Sequence, residues 1–429
     1  MLRAALSFSL LAAFAGLLAC GGGEPRRPPR VLVVGIDGAT FRVIGPLFGQ
    51  ERMPVLRGLA GEGAWGPLRS FPPLFSPLIW NSMATGKTPE RHGILSFVKE
   101  TPEGRRLYLS SDRKVPALWN MLSDRGLTVS VVNWWNTFPP ERIAGVMVSD
   151  HFFPAQLAAR ERVMQAEGAT GLAVDPPEWS ERAVALLAED RPLTHVPDPF
   201  AEGNPLPRWV DRATLQKFTR FDAKVARLAL AIERELEPQV LMVLLTGIDR
   251  VSHHLWGVME PAELYPPELR PTPEGRAAGR AALEAYYEYT DALVGLLLDG
   301  FGEDDLVLVV SDHGFEAETF EHVPQVQALQ PTGGHESEQA RDGVVFARGA
   351  GIAAGRSTGM TIHDVTPTVL AWLGLPVGAD MDGRPASFLG ESEVASIPSW
   401  DETPVERRSA ESGAEQEILE QLRELGYLE

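Results

Sequence analysis

Six residues stand where the chain could hold divalent metal. Asp37 follows the apolar run Val31–Ile36, and the pair Asp249 and His253 follows Val240–Leu245. The pair Asp312 and His313 follows Leu306–Val310, and His335 follows Gly333 and Gly334. Three Asp and three His supply six ligands, enough for two divalent ions with three protein ligands each. Carboxylate oxygen with imidazole nitrogen, and no thiolate, suits zinc and is compatible with manganese or iron. Only nine His occur in 429 residues, so three of them in such positions argue against coincidence. Asp249 and His253 are four apart, which places both on one face if a helix follows the strand. Each half-site also has an ordinary reading: a helix cap for Asp249, a packed ring for His253, a turn for Asp312–Gly314 and for Asp37. Their agreement favours the metal reading.

The elements that must position these residues follow from the apolar pattern. Val31–Ile36 is rich in β-branched residues, as in a strand buried on both faces of a parallel sheet. Similar runs occupy Leu127–Val132, Val240–Leu245, Leu306–Val310 and Val344–Ala347. Helical patterns lie between them at Val115–Asp124, Arg220–Leu236, Ala277–Leu298 and Asp364–Leu373. This alternation predicts an α/β fold, with a mainly parallel central sheet and helices on both faces. Ligands collect beyond the carboxyl ends of such strands, where Asp37, Asp249 and Asp312 fall.

Between the first strand and Gly93 the chain reads Phe71-Pro72-Pro73-Leu74-Phe75-Ser76-Pro77-Leu78-Ile79-Trp80-Asn81-Ser82-Met83-Ala84-Thr85-Gly86, then Pro89-Glu90-Arg91-His92-Gly93-Ile94. Together with the Asp and His half-sites, this resembles the alkaline phosphatase superfamily, in its type I phosphodiesterase and nucleotide pyrophosphatase branch. The resemblance runs from about Val31 to Arg384 and is weakest over 151–219. It implies an alkaline-phosphatase-like fold and places a nucleophilic hydroxyl at Ser76, with Ser82 and Thr85 as competitors. It further implies one metal held by Asp249, His253 and His335, and another held by Asp37, Asp312, His313 and the Ser76 oxygen. Metal lowers a hydroxyl pKa, so Ser76 would attack as an alkoxide and form a phosphoseryl intermediate.

Departures from the family pattern are informative. Nucleotide-cleaving members often carry Asn soon after His-Gly-Ile, to steady a phosphate oxygen. Here Leu95-Ser96-Phe97 follows, which leaves that contact to Asn81 or a backbone N–H and leaves the nucleotide open as a substrate. A sulfatase would need Cys or Ser in a Cys/Ser-x-Pro-x-Arg context, and Ser76-Pro77-Leu78-Ile79-Trp80 lacks the Arg. A cofactor-independent phosphoglycerate mutase is disfavoured by the export signal described below. His92, His254 and His363 read as structural, and Trp134-Trp135 as core.

Composition bounds the rest. Apolar content of 44% and 23% charge are those of a globular chain with a large core. A formal charge of −19 argues against nucleic acid polymer as a partner, whereas bound divalent ions would still admit a small phosphate ester. Residues 1–20 read as a signal segment ending in Leu17-Leu18-Ala19-Cys20, which resembles a bacterial lipobox. That implies a lipid on Cys20, residues 21–30 as a tether, and a place in the bacterial envelope, periplasmic or outer-membrane. Cys20 is the only cysteine, so no disulfide is expected within the fold. Residues 31–395 form the expected catalytic domain, with a cap inserted over 151–219 and a five-proline surface loop over 260–276. Residues 396–429 read as a polar tail in which Ile418–Leu425 forms a short helix that docks back. The function expected is metal-dependent hydrolysis of phosphate mono- or diesters. The other class is a non-catalytic surface lipoprotein that uses the fold for binding, which would predict a damaged ligand set.

Overall fold

The computed structural model describes residues 28–102, 104–153, 173–189, 192–265, 267, 269–317, 332–357, 359–390, 393–408 and 415–424. The signal segment, Cys20 and most of the tether lie outside these residues. Strand β1, Val31–Ile36, is buried along its whole length. Its odd residues Val31 and Val33 enter one core, while Leu32, Val34 and Ile36 enter the other. A strand buried on both faces has no solvated side to populate, which explains its continuous apolar run.

The remaining sheet strands are β2 (Ala64–Arg69), β3 (Val129–Val132), β4 (Met147–Val148), β5 (Val174–Asp175), β6 (Val240–Leu245), β7 (Leu306–Val310), β8 (Asp342–Arg348) and β9 (Gly355–Arg356). They form one sheet in the order β9-β2-β8-β7-β1-β6-β3-β4-β5. Strand β1 lies between β6 and β7, parallel to both, with Ile36 opposite Leu245 and Gly35 opposite Val310. The three strands therefore end at one level, and the next residues of each emerge together. Register alone brings Asp37, Asp249 and Asp312 to the same edge.

The run at Val344–Ala347 is a strand as expected, but β8 pairs antiparallel with both β7 and β2. The chain enters β8 from the edge where β7 ends, so β8 must run back. Strand β2 escaped the apolar pattern because it contains Gly66 and Pro67, which weaken strand propensity.

Helices cover both faces. On one lie α2 (Arg212–Leu236) and α4 (Pro273–Leu298), whose apolar sides join the larger core. On the other lie α1 (Ser76–Thr85) and the helices Leu118–Asp124 and Val365–Trp372. Helix α2 starts earlier than Arg220 because Asp211 caps it, accepting from the Thr214 N–H at 2.8 Å. Within 151–219, the described stretches are built into the sheet edge and the core. There β5 pairs with β4, and Phe152, Phe153, Ala183, Leu187 and Phe200 join the larger core. In the 260–276 loop lie a turn of 3-10 helix, Ala262–Leu264, and the start of α4. The terminal helix α5, Glu415–Glu424, packs Ile418, Leu419 and Leu422 against Phe97 and Leu107. No helix among the described residues is long and apolar enough to cross a membrane.

Candidate metal centre and active site

Helix α3, Gly247–Leu255, starts directly after β6 and carries both Asp249 and His253 on its inner side. Its N-terminus is held by Asp222 of α2, whose two oxygens accept from the Thr246 and Gly247 N–H groups, each at 3.1 Å. His253 Nε2 lies 3.5 Å from Asp249 Oδ1. His253 Nδ1 lies 3.0 Å from the Gly333 carbonyl. A carbonyl only accepts, so Nδ1 donates and Nε2 carries the lone pair that faces the site. The same logic applies to His313, whose Nδ1 meets the Gly314 carbonyl at 3.0 Å. Its Nε2 sits 3.3 Å from Asp312 Oδ2 and 3.6 Å from Asp37 Oδ1.

His335 arrives on a two-residue strand, Gly333–Gly334, paired antiparallel with Glu316–Ala317. Its Nε2 is 3.7 Å from Asp249 Oδ1, and its ring stacks on His313 with centroids 3.8 Å apart. A side chain at Gly333 would collide with Trp256 at 2.2 Å, so only glycine lets this strand pass close enough to deliver His335. Phe315 packs against His253, His335 and His313, at centroid distances of 5.1, 5.3 and 6.0 Å.

Ser76 begins α1, and its Oγ lies 3.4 Å from Asp37 Oδ1. Asp37 Oδ2 accepts from the indole N–H groups of Trp80 at 3.2 Å and Trp135 at 3.3 Å. Trp80 reaches it because Gly35 has no side chain, since a Cβ there would meet the Trp80 ring at 2.7 Å. Trp135 thus orients a carboxylate and lines the pocket, whereas Trp134 is core, as expected. The competing hydroxyls are committed elsewhere: Ser82 to the Leu78 carbonyl at 3.0 Å and Thr85 to the Asn81 carbonyl at 2.8 Å. Asn81 does not take the phosphate-steadying place considered from the sequence. It is fully buried and donates to the Pro77 carbonyl and Asn136 Oδ1, each at 2.7 Å. His92 bonds Ser82 at 3.0 Å, His363 stacks on Phe71 and His254 on Phe218, all structural roles.

All seven sequence-predicted site residues therefore converge, none more than 9% exposed. Two groups of ligand atoms fall close together: Asp249 with His313 and His335, and Asp37 with Asp312 and His313. The resemblance assigned His313 to one group alone, but in this geometry it stands between the two. The electrostatics are those of a cation site. Burial, then the Asp312 and Asp249 carboxylates, push the Asp37 pKa well up. Burial pushes Asp312 up to about 7, with Asp249 adding to it. Burial would raise Asp249 too, but His253, His335 and His313 outweigh it and hold that carboxyl low. Burial and then His313 drive the His335 pKa well down. Asp249 Oδ1, Asp312 Oδ2 and His313 Nε2 are buried without a hydrogen-bond partner. Carboxylates gathered this way are costly unless a cation joins them, so the donor set fits divalent metal.

The fold and this Asp/His centre define an alkaline-phosphatase-like hydrolase. Residues 31–369 match the family model described as type I phosphodiesterase / nucleotide pyrophosphatase, and the chain belongs to that family, whose members are metal-dependent phosphoester hydrolases. No curated protein matches the chain. Among solved structures, a 2-O GAG sulfatase, BT1596, is similar at 15% identity and a TM-score of 0.54, over 87% of this chain and 76% of that one. A putative sulfatase from Bacteroides thetaiotaomicron VPI-5482 has 15% identity and a TM-score of 0.52, over 87% and 77%. Human ectonucleotide pyrophosphatase / phosphodiesterase 5 has 12% identity and a TM-score of 0.47, over 83% and 97%. At such identities the sulfatases establish the fold alone, and the family match carries the phosphoester chemistry.

Proposed function

We propose that this chain hydrolyses phosphate mono- or diesters through Ser76, with two divalent ions, zinc foremost, as cofactors. The observation that supports this best is the Ser76 hydroxyl lying against Asp37 at the edge of a buried, uncompensated Asp/His cluster. Asp249, His253 and His335 would hold one ion, and Asp37, Asp312 and His313 the other, with His313 within reach of both. Bound there, the ions would supply Lewis acidity that lowers the Ser76 pKa and offsets charge on phosphoryl oxygens.

The chain's own groups carry the remaining work. Ser76 Oγ attacks phosphorus, the ester P–O bond breaks, and the alcohol leaves. Water then attacks the phosphoseryl phosphorus, the bond to Oγ breaks, and phosphate or a phosphate monoester departs. Because Ser76 opens α1, the positive end of that helix would face a phosphoryl group bound at Ser76. Trp80 and Trp135 fix the Asp37 carboxylate. The non-catalytic alternative expects a damaged ligand set, and the convergence of all seven residues speaks for the enzyme.

We further propose that the hydrolase is held at the bacterial envelope by a lipid on Cys20. The chemistry is tested with the protein from residue 28 onward, reconstituted with zinc or manganese, on a panel of 4-nitrophenyl phosphate mono- and diesters. Two ions per chain by elemental analysis and turnover of at least one ester are expected. Trace metal after reconstitution would overturn the two-ion reading, and metal-loaded protein inert on every ester would overturn the hydrolase.

A further inference from the structure

The pocket above Ser76 has a wall that comes from the far end of the chain. Asp37, Ser76 and Asp249 line it on one side, and Phe97, Trp135, Phe221, Ile418 and Leu422 supply its apolar surface. Ile418 and Leu422 belong to α5, which lies beyond the family match ending at residue 369. Phe97 and Trp135 meet edge to face at 5.6 Å, and α5 packs on both. Trp135 also donates to Asp37, so the wall is tied directly to the reacting centre. Among the polar neighbours, Thr246 Oγ1 is buried without a hydrogen-bond partner, while the ring of His151 stacks on Phe138. Asp150 accepts from the Asn136 and Thr137 N–H groups, Asn133 donates to the Leu244 carbonyl, and Arg250 lies over the Phe221 ring at 4.3 Å. A sugar hydroxyl held against Phe97, Ile418 and Leu422 would meet carbon, which leaves it unpaired on that wall.

We infer that this wall binds the organic substituent of the phosphate ester, and that the preferred substituent is apolar, an alkyl or aryl chain and not a polyol. The inference rests on the hydrolase reading above and adds Ile418 and Leu422 as specificity-determining residues.

The test uses the full-length protein loaded with zinc and two readouts. The first is kcat/KM for 4-nitrophenyl methyl, butyl, hexyl and glyceryl phosphates. The second is calorimetric binding of methyl-, butyl- and hexylphosphonate, which needs no turnover. A rise of up to about fourfold per methylene is expected in both, the factor for burying one CH₂, with hexyl well above glyceryl. In the Ile418→Ala/Leu422→Ala double variant the slope against chain length falls by half or more. In Leu264→Ala, an exposed leucine outside the pocket, it is unchanged. A flat series, preference for the glyceryl ester, or a slope the double variant does not alter would overturn the inference. No turnover of any ester, with phosphonate binding still rising with chain length, would count against the hydrolase reading and not against the apolar wall.

Discussion

The Trp80 indole N–H donates to Asp37 Oδ2 across 3.2 Å, joining the helix that opens with Ser76 to the end of the strand that leads into Asp37. Asp37 Oδ1 is thereby left toward Ser76 and His313. Such outer partners orient a ligand and raise its affinity for metal. Trp80→Phe keeps most of the ring volume and removes the donor. Divalent-ion affinity is expected to fall by about ten- to a hundredfold, measured by chelator competition, with circular dichroism unchanged. Unaltered affinity would show that the indole N–H does not orient Asp37.

Ser76→Ala separates chemistry from ligation. Asp37, Asp312 and His313 remain, so both ions should stay largely bound while kcat falls by roughly three orders of magnitude or more. Asp249→Ala or His335→Ala should do the reverse and deplete the metal itself, read by elemental analysis after gel filtration. Ser76→Thr retains a hydroxyl and should keep measurable turnover. Near-normal kcat in Ser76→Ala would move attention to direct attack by water.

Asp222 gives stability a defined pH dependence. Burial pushes its pKa up to about 6, against an ordinary value of 3.8. A carboxyl whose folded pKa is raised holds a proton in the folded state that the unfolded chain has lost. Its contribution therefore favours folding at low pH and is lost as pH climbs from about 4 to about 6, by roughly 3 kcal/mol at most. Asp222→Asn should flatten this part of the profile while adding a constant cost for the weakened cap on α3. Urea unfolding of both proteins at pH 4.5 and 7.5 measures it. Parallel shifts of the two proteins with pH would rule it out.

If Cys20 carries a lipid, Cys20→Ala should release the protein from the membrane fraction or block its processing. Fractionation with an antibody to the catalytic domain reads this directly. A processed variant still partitioning with membranes would end the proposal of a lipid anchor.

The sequence by itself determined the central strands and the Asp and His residues that follow their ends, because a strand buried on both faces must be apolar throughout and must stop where polar residues start. Asp37, Asp249, His253, Asp312 and His313 were legible for that reason, and the Asp249–His253 spacing anticipated α3. Only the tertiary structure decided what surrounds them. No spacing rule links Trp80 or Trp135 to Asp37, because those bonds exist only once β1, α1 and the segment after β3 are packed. Asn81 could be weighed for phosphate binding until packing committed its amide to Pro77 and Asn136. The place of His313 between both ligand groups depends on side-chain positions that sequence does not encode locally. The wall built by Ile418 and Leu422 depends on a helix returning over more than three hundred residues to Phe97. Contacts that distant are specified by the packing of the whole chain, and no local pattern records them.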